Sequence, residues 1–204
     1  MKLSIWATST SKPFKNPENS PNVSTIATAI GQGIPNIVCN EMGRHLLLKG
    51  YLKLAYVGTS HVIANAATAR MDGFTKAVND AGGEVTKQLC LHDVPRVYSG
   101  YYGTEQFLAS APDIEAVFYQ NDNMAVGGRQ YCHAREMTIP NDIAIAGWGD
   151  LPILAIQPYR MTTVRIPHLK PGQTAAELLL EALHVTPTKD VHDIGYLLVP
   201  GSTT

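Results

Sequence analysis

The chain has 204 residues, of which 45% are hydrophobic, so it can bury a substantial core in one large domain or two small lobes. Its net charge is −1, so it lacks the overall basic character that is typical of nucleic-acid-binding proteins. Three widely spaced cysteines argue against a disulfide framework, and no run approaches the roughly 18 apolar residues that a transmembrane helix needs. We therefore expect a cytoplasmic location.

The chain begins with a segment that has no hydrophobic period. Residues 8–24 are rich in Ser, Thr, Asn, Pro and Lys, a composition that is typical of a loop or a tail. We interpret residues 1–32 as an irregular tail or the remnant of a neighbouring lobe, and residues 33–204 as the folded domain. Residues 36–39 are predicted as a short strand after Pro35, and residues 44–49 as a helical turn that ends at Gly50.

Residues 52–57 are predicted as a buried strand, and residues 68–81 as the clearest helix of the chain. On that helix, apolar side chains recur every three or four residues, while charged side chains take the other face. The apolar set is Met71, Phe74, Ala77, Val78 and Ala81. Gly82 and Gly83 predict the end of the helix, because a left-handed C-terminal cap favours glycine.

The rest of the chain continues the alternation of strands and helices. Strands are predicted at residues 84–91, 115–120, 142–146, 161–166 and 196–199. Helices are predicted at residues 103–110, 124–136 and 173–184, and another is expected to begin near Leu151 and end by residue 157. Alternation at this spacing indicates right-handed crossovers between parallel strands. The predicted fold class is α/β, with a doubly wound parallel sheet that helices cover on both faces.

The sequence contains no motif that predicts catalysis or a bound cofactor. The seven histidines show no metal-ligand spacing, and the adjacent Cys132 and His133 do not face one another on a helix. The chain has neither a phosphate-binding Walker sequence nor a Gly-x-Ser-x-Gly nucleophile elbow. We expect a protein that is not an enzyme and that uses no cofactor and no metal ion.

Polar and aromatic side chains follow three of the predicted strands, in the turns after residues 57, 120 and 146. These side chains are Arg70, Asn121, Asp122, Trp148 and Asp150. Ligands of parallel α/β sheets bind at the carboxyl ends of the strands, and neighbouring strands bring such turns to one edge. A guanidinium, two carboxylates and an indole suit a polyhydroxylated small molecule, including one that carries a carboxylate.

These residues also have purely structural interpretations. Asp122 is a candidate N-cap of the helix that follows it, and Asp150 is a candidate N-cap of the helix near Leu151. Arg70 is a candidate solvated helix residue, and Trp148 is a candidate core residue. The functional interpretation is favoured because all three turns fall at the same end of neighbouring strands.

Four segments of the chain together resemble the effector-binding core of the lactose/galactose-repressor family. They are Ala69-Arg70-Met-Asp-Gly73-Phe74, Gln120-Asn121-Asp122-Asn-Met124-Ala125, Ile139-Pro-x-Asp142-Ile-Ala-Ile-Ala-Gly147-Trp148 and Thr162-Thr-Val-Arg165. Their order and spacing match over residues 33–204. The stretch Asp193-Ile-Gly-Tyr-Leu-Leu-Val-Pro-Gly201-Ser202, with Ala144-Ile-Ala-Gly147, looks most like the gluconate-operon repressors of that family.

The resemblance implies a periplasmic-binding-protein-like fold whose lobes close around a sugar, a sugar acid or a purine. Arg70 and Asp122 fall where the family commonly places ligand-contacting residues, and Trp148 takes the aromatic position of the family's Gly-aromatic-Asp turn. Gly149 stands where the family usually has an acidic or amide residue. An incomplete N-terminal lobe is expected, because the connecting segment near residues 40–43 looks shortened.

The leading hypothesis is the sugar- or sugar-acid-sensing domain of a LacI/GalR-type regulator with a gluconate-like effector. No helix-turn-helix headpiece is visible in residues 1–32, so we expect neither direct nucleic-acid binding by this chain nor a membrane partner. The expected partners are the effector and a second subunit, in a homodimer or a heterodimer with a full-length relative. The alternatives are a stand-alone cytoplasmic sugar-acid-binding protein and a non-functional truncated remnant, with an enzyme as the least favoured class.

Overall fold

The computed structural model describes residues 34–59, 65–91, 96–167, 169, 172–174, 176–177, 180 and 195–204. The predicted tail at residues 1–32 and most of the predicted helix at residues 173–184 lie outside the described residues. In the ranges that are described, no helix is long and apolar enough to cross a membrane.

Strands and helices alternate along the described chain. The helices are α1 (Ile34–Leu48), α2 (Asn65–Asp80), α3 (Arg96–Ser110) and α4 (Asp122–Ala134), with a 3-10 turn at Pro152–Ile156. The strands are β1 (Lys53–Thr59), β2 (Glu84–Leu91), β3 (Ala116–Tyr119), β4 (Ala144–Ala146), β5 (Thr163–Arg165) and β6 (Leu197–Val199). The predicted strand at residues 84–91 and the predicted helix at residues 68–81 are confirmed, and Gly82 ends that helix with a positive φ of 83°.

The first four strands form one parallel sheet in the order β2-β1-β3-β4. The chain moves from β1 to β2 in one direction and then returns to place β3 on the other side of β1. This reversal makes the gap between the carboxyl ends of β1 and β3 a topological switch point, where open α/β sheets bind their ligands. The predicted parallel, doubly wound sheet is therefore confirmed.

Helices cover both faces of this sheet, because side chains of alternate strand residues enter two separate cores. On one face, Leu54 and Tyr56 of β1 pack with buried residues of α1 and α2. On the other face, Ala55 and Val57 pack with buried residues of α3 and α4. Strands that are buried on both faces explain the continuous apolar runs of β1, β3 and β4.

The structure corrects three sequence-based predictions. Residues 36–39, predicted as a strand, belong to helix α1. The helix expected near Leu151 is only the 3-10 turn Pro152–Ile156. The alternation indicated parallel strands, but β5 pairs antiparallel with β6. Isolated parallel bridges, between Ala146 and Thr162 and between Gly149 and Arg165, join this segment to the end of β4 and to the turn after it.

Candidate functional site

The described parts of the three turns singled out from the sequence lie at the carboxyl edge of β1, β3 and β4, which are neighbours in the sheet. Residues 60–64 of the first turn lie outside the described residues. Hydrogen bonds join each turn to the next one. Arg70 Nη1 donates to the main-chain oxygen of Gln120 at 3.5 Å, which joins helix α2 to the end of β3. The main-chain nitrogen of Asp122 donates to the oxygen of Trp148 at 3.0 Å, which joins the second turn to the third.

Arg70 and Trp148 form the centre of this edge. The guanidinium carbon of Arg70 lies 4.8 Å from the centroid of the Trp148 ring, within the range of a cation–π interaction. Trp148 is only 5% exposed and packs in the core of the α1–α2 face. The interpretation of Trp148 as a core residue is therefore correct, and the residue also lies at the edge of the sheet. Arg70 is half-buried, which does not fit the interpretation as a solvated helix residue.

Among the described residues, no carboxylate is paired with Arg70. Burial lowers the pKa of its guanidinium, and Nε is buried without a hydrogen-bond partner among the described residues. Burial also raises the pKa of Cys39 and Tyr56 far above neutrality, so neither group is a counter-ion at physiological pH. No ion pair of the described side chains includes Arg70, which is therefore a desolvated cation without a carboxylate partner in that part of the chain.

Asn121 and Asp122 are neighbours with different roles. Asn121 is the N-cap of α4, because its Oδ1 accepts from the nitrogen of Met124 at 3.1 Å. Capping by Asp122, considered from the sequence, is wrong. Asp122 is 0% exposed, and its two carboxylate oxygens accept from Thr163 Oγ1 at 2.6 Å and from the nitrogen of Leu151 at 2.7 Å. These contacts make Asp122 part of the framework of the edge, whereas the sequence predicted a ligand contact.

The Asp122 carboxyl is also electrostatically unusual. Burial raises its pKa, and the hydrogen bonds from Thr163 and Leu151 oppose that rise. The nearby charge of Asp150 raises the pKa further. A carboxylate in such a place stays bound to its two donors because the cost of leaving it unpaired is large.

Asp150 ends the third turn in a left-handed conformation with φ of 51°, directly after Gly149 with φ of 124°. A side chain at position 149 would be strained by that backbone, which accounts for glycine at this position. The carboxylate of Asp150 forms an ion pair with Arg165 Nε at the surface. The 3-10 turn has Leu151 as its N-cap and no side-chain cap, so the expected capping role of Asp150 is wrong.

Two residues of the edge were missed by the sequence interpretation. Gln120 is 8% exposed, and its Oε1 accepts from the nitrogen of Thr59 at 2.5 Å, which closes the end of β1. Thr163 is 0% exposed and bonds to Asp122. Thr163 lies within a segment that carried the family resemblance, but its partner is 41 residues away and only the fold brings the two together.

Comparisons with known proteins agree with this architecture. A family model described as a periplasmic binding protein-like domain matches residues 44–204. The HTH-type transcriptional regulator GntR of Pseudomonas aeruginosa is 32% identical over 164 residues, which cover 78% of this chain and 47% of that protein. The HTH-type transcriptional regulator RegA of Clostridium saccharobutylicum is 29% identical over 153 residues, which cover 75% of this chain and 45% of that protein.

A solved structure of a transcriptional regulator has the same fold. The crystal structure of the transcription regulator GntR from Chromobacterium violaceum is similar with a TM-score of 0.75 at 26% identity, over 85% of this chain and 63% of that chain. This chain spans about half the length of the curated relatives that it matches. Because the domain model covers most of the chain and the relatives are regulators of one kind, the chain belongs to the periplasmic binding protein-like family, as an effector-binding domain of the lactose/galactose-repressor type.

Proposed function

We propose that this domain senses a sugar acid of the gluconate type for a transcriptional regulator. Relatives named GntR from two organisms support the assignment, as does the resemblance of the C-terminal stretch to gluconate-operon repressors. The observation that carries the proposal is Arg70, a desolvated cation whose Nε has no acceptor among the described residues. An unpaired buried charge is costly, and the carboxylate of a bound sugar acid would supply the missing partner.

The acidic residues of the edge already bond to protein donors. Each oxygen of Asp122 accepts one hydrogen bond, from Thr163 and from Leu151, and Asp150 is paired with Arg165. A carboxylate oxygen can accept a second bond, so the proposed preference for an acid rests on Arg70 and not on these carboxylates. Asn121 uses Oδ1 for its helix cap, so its amide nitrogen is the group that would contact ligand hydroxyls.

Trp148 would supply the apolar wall of the site. Its ring lies against the Arg70 guanidinium, so a ligand carboxylate on Arg70 would bring the carbon chain of the sugar acid near the indole. The proposed contacts are therefore Arg70, Asn121, Trp148 and Asp150, with Asp122 acting by position.

The proposed partner is a second subunit, either an identical chain or a full-length relative. A solved Lac repressor, which is 20% identical to this chain, is described as a dimer bound to operator. Exposed apolar side chains on helix α3 support such a surface. They are Val97, Tyr98 and Tyr102. In an intact regulator, the effector would favour one arrangement of the subunits and thereby change DNA binding.

Calorimetric titration with gluconate and with sorbitol tests the proposal, because sorbitol is an open-chain polyol of the same length with a hydroxymethyl group in place of the carboxylate. Gluconate is expected to bind and to raise the melting temperature, while sorbitol does not. Arg70→Ala should weaken gluconate binding by about 2–5 kcal/mol, the usual cost of removing one partner of a buried charge pair. Arg135→Ala, a change at an arginine whose side chain is 60% exposed, is the matched control and should leave binding unchanged.

Two results would contradict the proposal. One is sorbitol binding as tightly as gluconate, which would remove the role of the carboxylate. The other is gluconate binding that Arg70→Ala does not weaken, which would place the ligand elsewhere. If neither compound shifts the melting temperature of a cooperatively unfolding protein, the domain does not sense this class of effector.

A further inference from the structure

The hydroxyl group of Thr163 lies where two turns of the candidate site meet. Thr163 belongs to β5 and is fully buried. Its Oγ1 donates to Asp122 Oδ1 at 2.6 Å and accepts from the nitrogen of Asp150 at 3.4 Å. One side chain therefore connects the start of α4 with the turn that follows β4.

The same turn is held from its other side by Asp122. Asp122 Oδ2 accepts from the nitrogen of Leu151 at 2.7 Å, and the Asp122 nitrogen donates to the oxygen of Trp148 at 3.0 Å. The packing leaves no room for a side chain at position 147, since a methyl group added at Gly147 would overlap Asp122 Oδ1. Residues 147–151 thus wrap around a single buried carboxylate.

The position of Trp148 depends on this wrapping. Its main chain is anchored on both sides, by the bond from Asp122 and by the bond from Gly149 nitrogen to Val164 oxygen at 2.8 Å. The indole ring is thereby kept against the Arg70 guanidinium. If the Asp122 carboxylate loses the Thr163 hydroxyl, one buried oxygen is left without its donor and the carboxylate is free to turn.

We infer that Thr163 is a positioning residue of the effector site, which holds the Asp122 carboxylate in the orientation that fixes the Trp148–Asp150 turn beneath Arg70. Thr163 does not contact the effector itself. The inference rests on the proposed function for its consequence on binding, whereas its consequence for the position of Trp148 can be measured without any ligand.

Thr163→Val tests this inference, because valine has nearly the same shape and lacks the hydroxyl group. Thr104→Val is the matched control. Thr104 is also fully buried, and its Oγ1 bonds to Tyr119 Oη and to the oxygen of Gly100, each at 2.6 Å, so neither of its partners belongs to the Trp148–Asp150 turn. Both variants lose a buried hydroxyl and should lose thermal stability. Only Thr163→Val is expected to weaken gluconate binding, by about tenfold or 1.4 kcal/mol, because binding must then also order the Trp148–Asp150 turn.

The fluorescence of Trp148 gives a readout that a general loss of stability does not change. The measurement uses a Trp6→Phe background, so that Trp148 is the single tryptophan. Thr163→Val should shift its emission to longer wavelength and increase its quenching by acrylamide, whereas Thr104→Val should change neither. Thr163→Ser keeps the hydroxyl group and should restore both the emission and the affinity.

The outcomes separate the two proposals. Unchanged emission and unchanged gluconate affinity in folded Thr163→Val would overturn the positioning role. Changed emission in a protein that binds no gluconate would support the positioning role while the proposed function fails. If Thr163→Val does not fold, hydrogen exchange of the unsubstituted protein decides: the Asp150 and Leu151 amides should be protected, and exchange at the rate of an open loop would overturn the inference.

Discussion

Asn121 and Asp122 are neighbours in the sequence, but their side chains have different structural roles. The amide of Asn121 satisfies an open main-chain N–H at the first turn of α4. The carboxylate of Asp122 is buried between two donors that belong to other segments. The first role follows from local sequence, because Asn is a preferred N-cap. The second role exists only once the sheet has brought the three segments together.

The buried carboxyl of Asp122 predicts a pH dependence of stability. Burial raises its pKa above the ordinary value of 3.8, so the unfolded chain releases this proton at a lower pH than the native protein does. Between the two pKa values the native state binds more protons, and the free energy of unfolding falls as the pH rises. Asp122→Asn removes this titration and one of the two hydrogen bonds, at a cost of about 1–3 kcal/mol.

Urea unfolding of the unsubstituted protein and of Asp122→Asn from pH 3 to pH 7 checks this. The stability advantage of the unsubstituted protein should be largest at the acidic end and should decline as the pH rises above the ordinary carboxyl pKa. An advantage that grows with pH over this range would mean that the hydrogen bonds, and not burial, dominate the pKa of Asp122.

At the level of single residues, the sequence predicted where the site lies, but it did not predict all of the residues that hold the site together. The rule that turns at the carboxyl ends of neighbouring strands form the ligand site placed Arg70 and Trp148 together, and the structure stacks them. The same rule cannot reveal Thr163, since its position depends on how β5 returns to the sheet. It cannot reveal Gln120 either, because a glutamine at a strand end looks like an ordinary polar turn residue.

At the level of elements, helix α1 shows that a pattern read over only a few residues can predict the wrong secondary structure. Pro35 followed by Ile and Val resembles the start of a strand, but proline is tolerated in the first turn of a helix, where the N–H makes no intrahelical bond. A longer window carries the helical signal. Cys39, Met42 and Leu46 are spaced by three and four residues, and all are fully buried. Strand β2 and helix α2 were predicted correctly because each pattern extends over a whole element.

Helices α3 and α4 approach each other closely through glycine. A methyl group added at Gly127 would overlap the oxygen of Val97, and one added at Gly100 would overlap the oxygen of Met124. Both obstacles are main-chain atoms, which cannot move aside as a flexible side chain can. The approach of the two helices therefore requires residues without a Cβ at these points.

Gly127→Ala should separate α3 from α4 and lower the free energy of unfolding by about 1–3 kcal/mol or more, the usual cost of overpacking. Gly172→Ala is the control, because an added methyl group there meets no atom within 4 Å. The control should leave stability unchanged or raise it by about 0.5–1 kcal/mol through helix propensity. If urea unfolding shows equal effects of the two substitutions, the close approach of α3 and α4 does not contribute to the free energy of unfolding.

At the scale of the whole molecule, residues 201–204 join segments that are far apart in the chain. Thr203 exchanges main-chain and side-chain hydrogen bonds with Ile145 of β4, and its Oγ1 accepts from the nitrogen of Thr162 at 2.9 Å. Thr204 bonds to Thr162 Oγ1 at 2.7 Å and to His45 Nε2 of α1 at 3.0 Å. The last described residues thus fill the space between β4 and β5 and fasten α1 to them.

Thr203→Val should therefore destabilise the entire domain. The substitution leaves the Ile145 oxygen and the Thr162 nitrogen without their buried partner, at a cost of about 1–3 kcal/mol. For a domain of this size the melting temperature should fall by about 2–4 °C per kcal/mol. Thr138→Val, at an exposed threonine whose side chain bonds to Asp142, should change the melting temperature by less. A similar fall in both variants would contradict the fastening role of Thr203.

The wrapping of residues 147–151 around one carboxylate has an evolutionary consequence. Turns at the edge of a sheet tolerate change better than the strands that they follow, so related chains can change effector by exchanging turn residues while the strands stay the same. Asp122 is the exception, because its oxygens support the turn that carries Trp148. An exchange at Asp122 would leave the Thr163 hydroxyl without its acceptor, so across related chains these two positions should vary together.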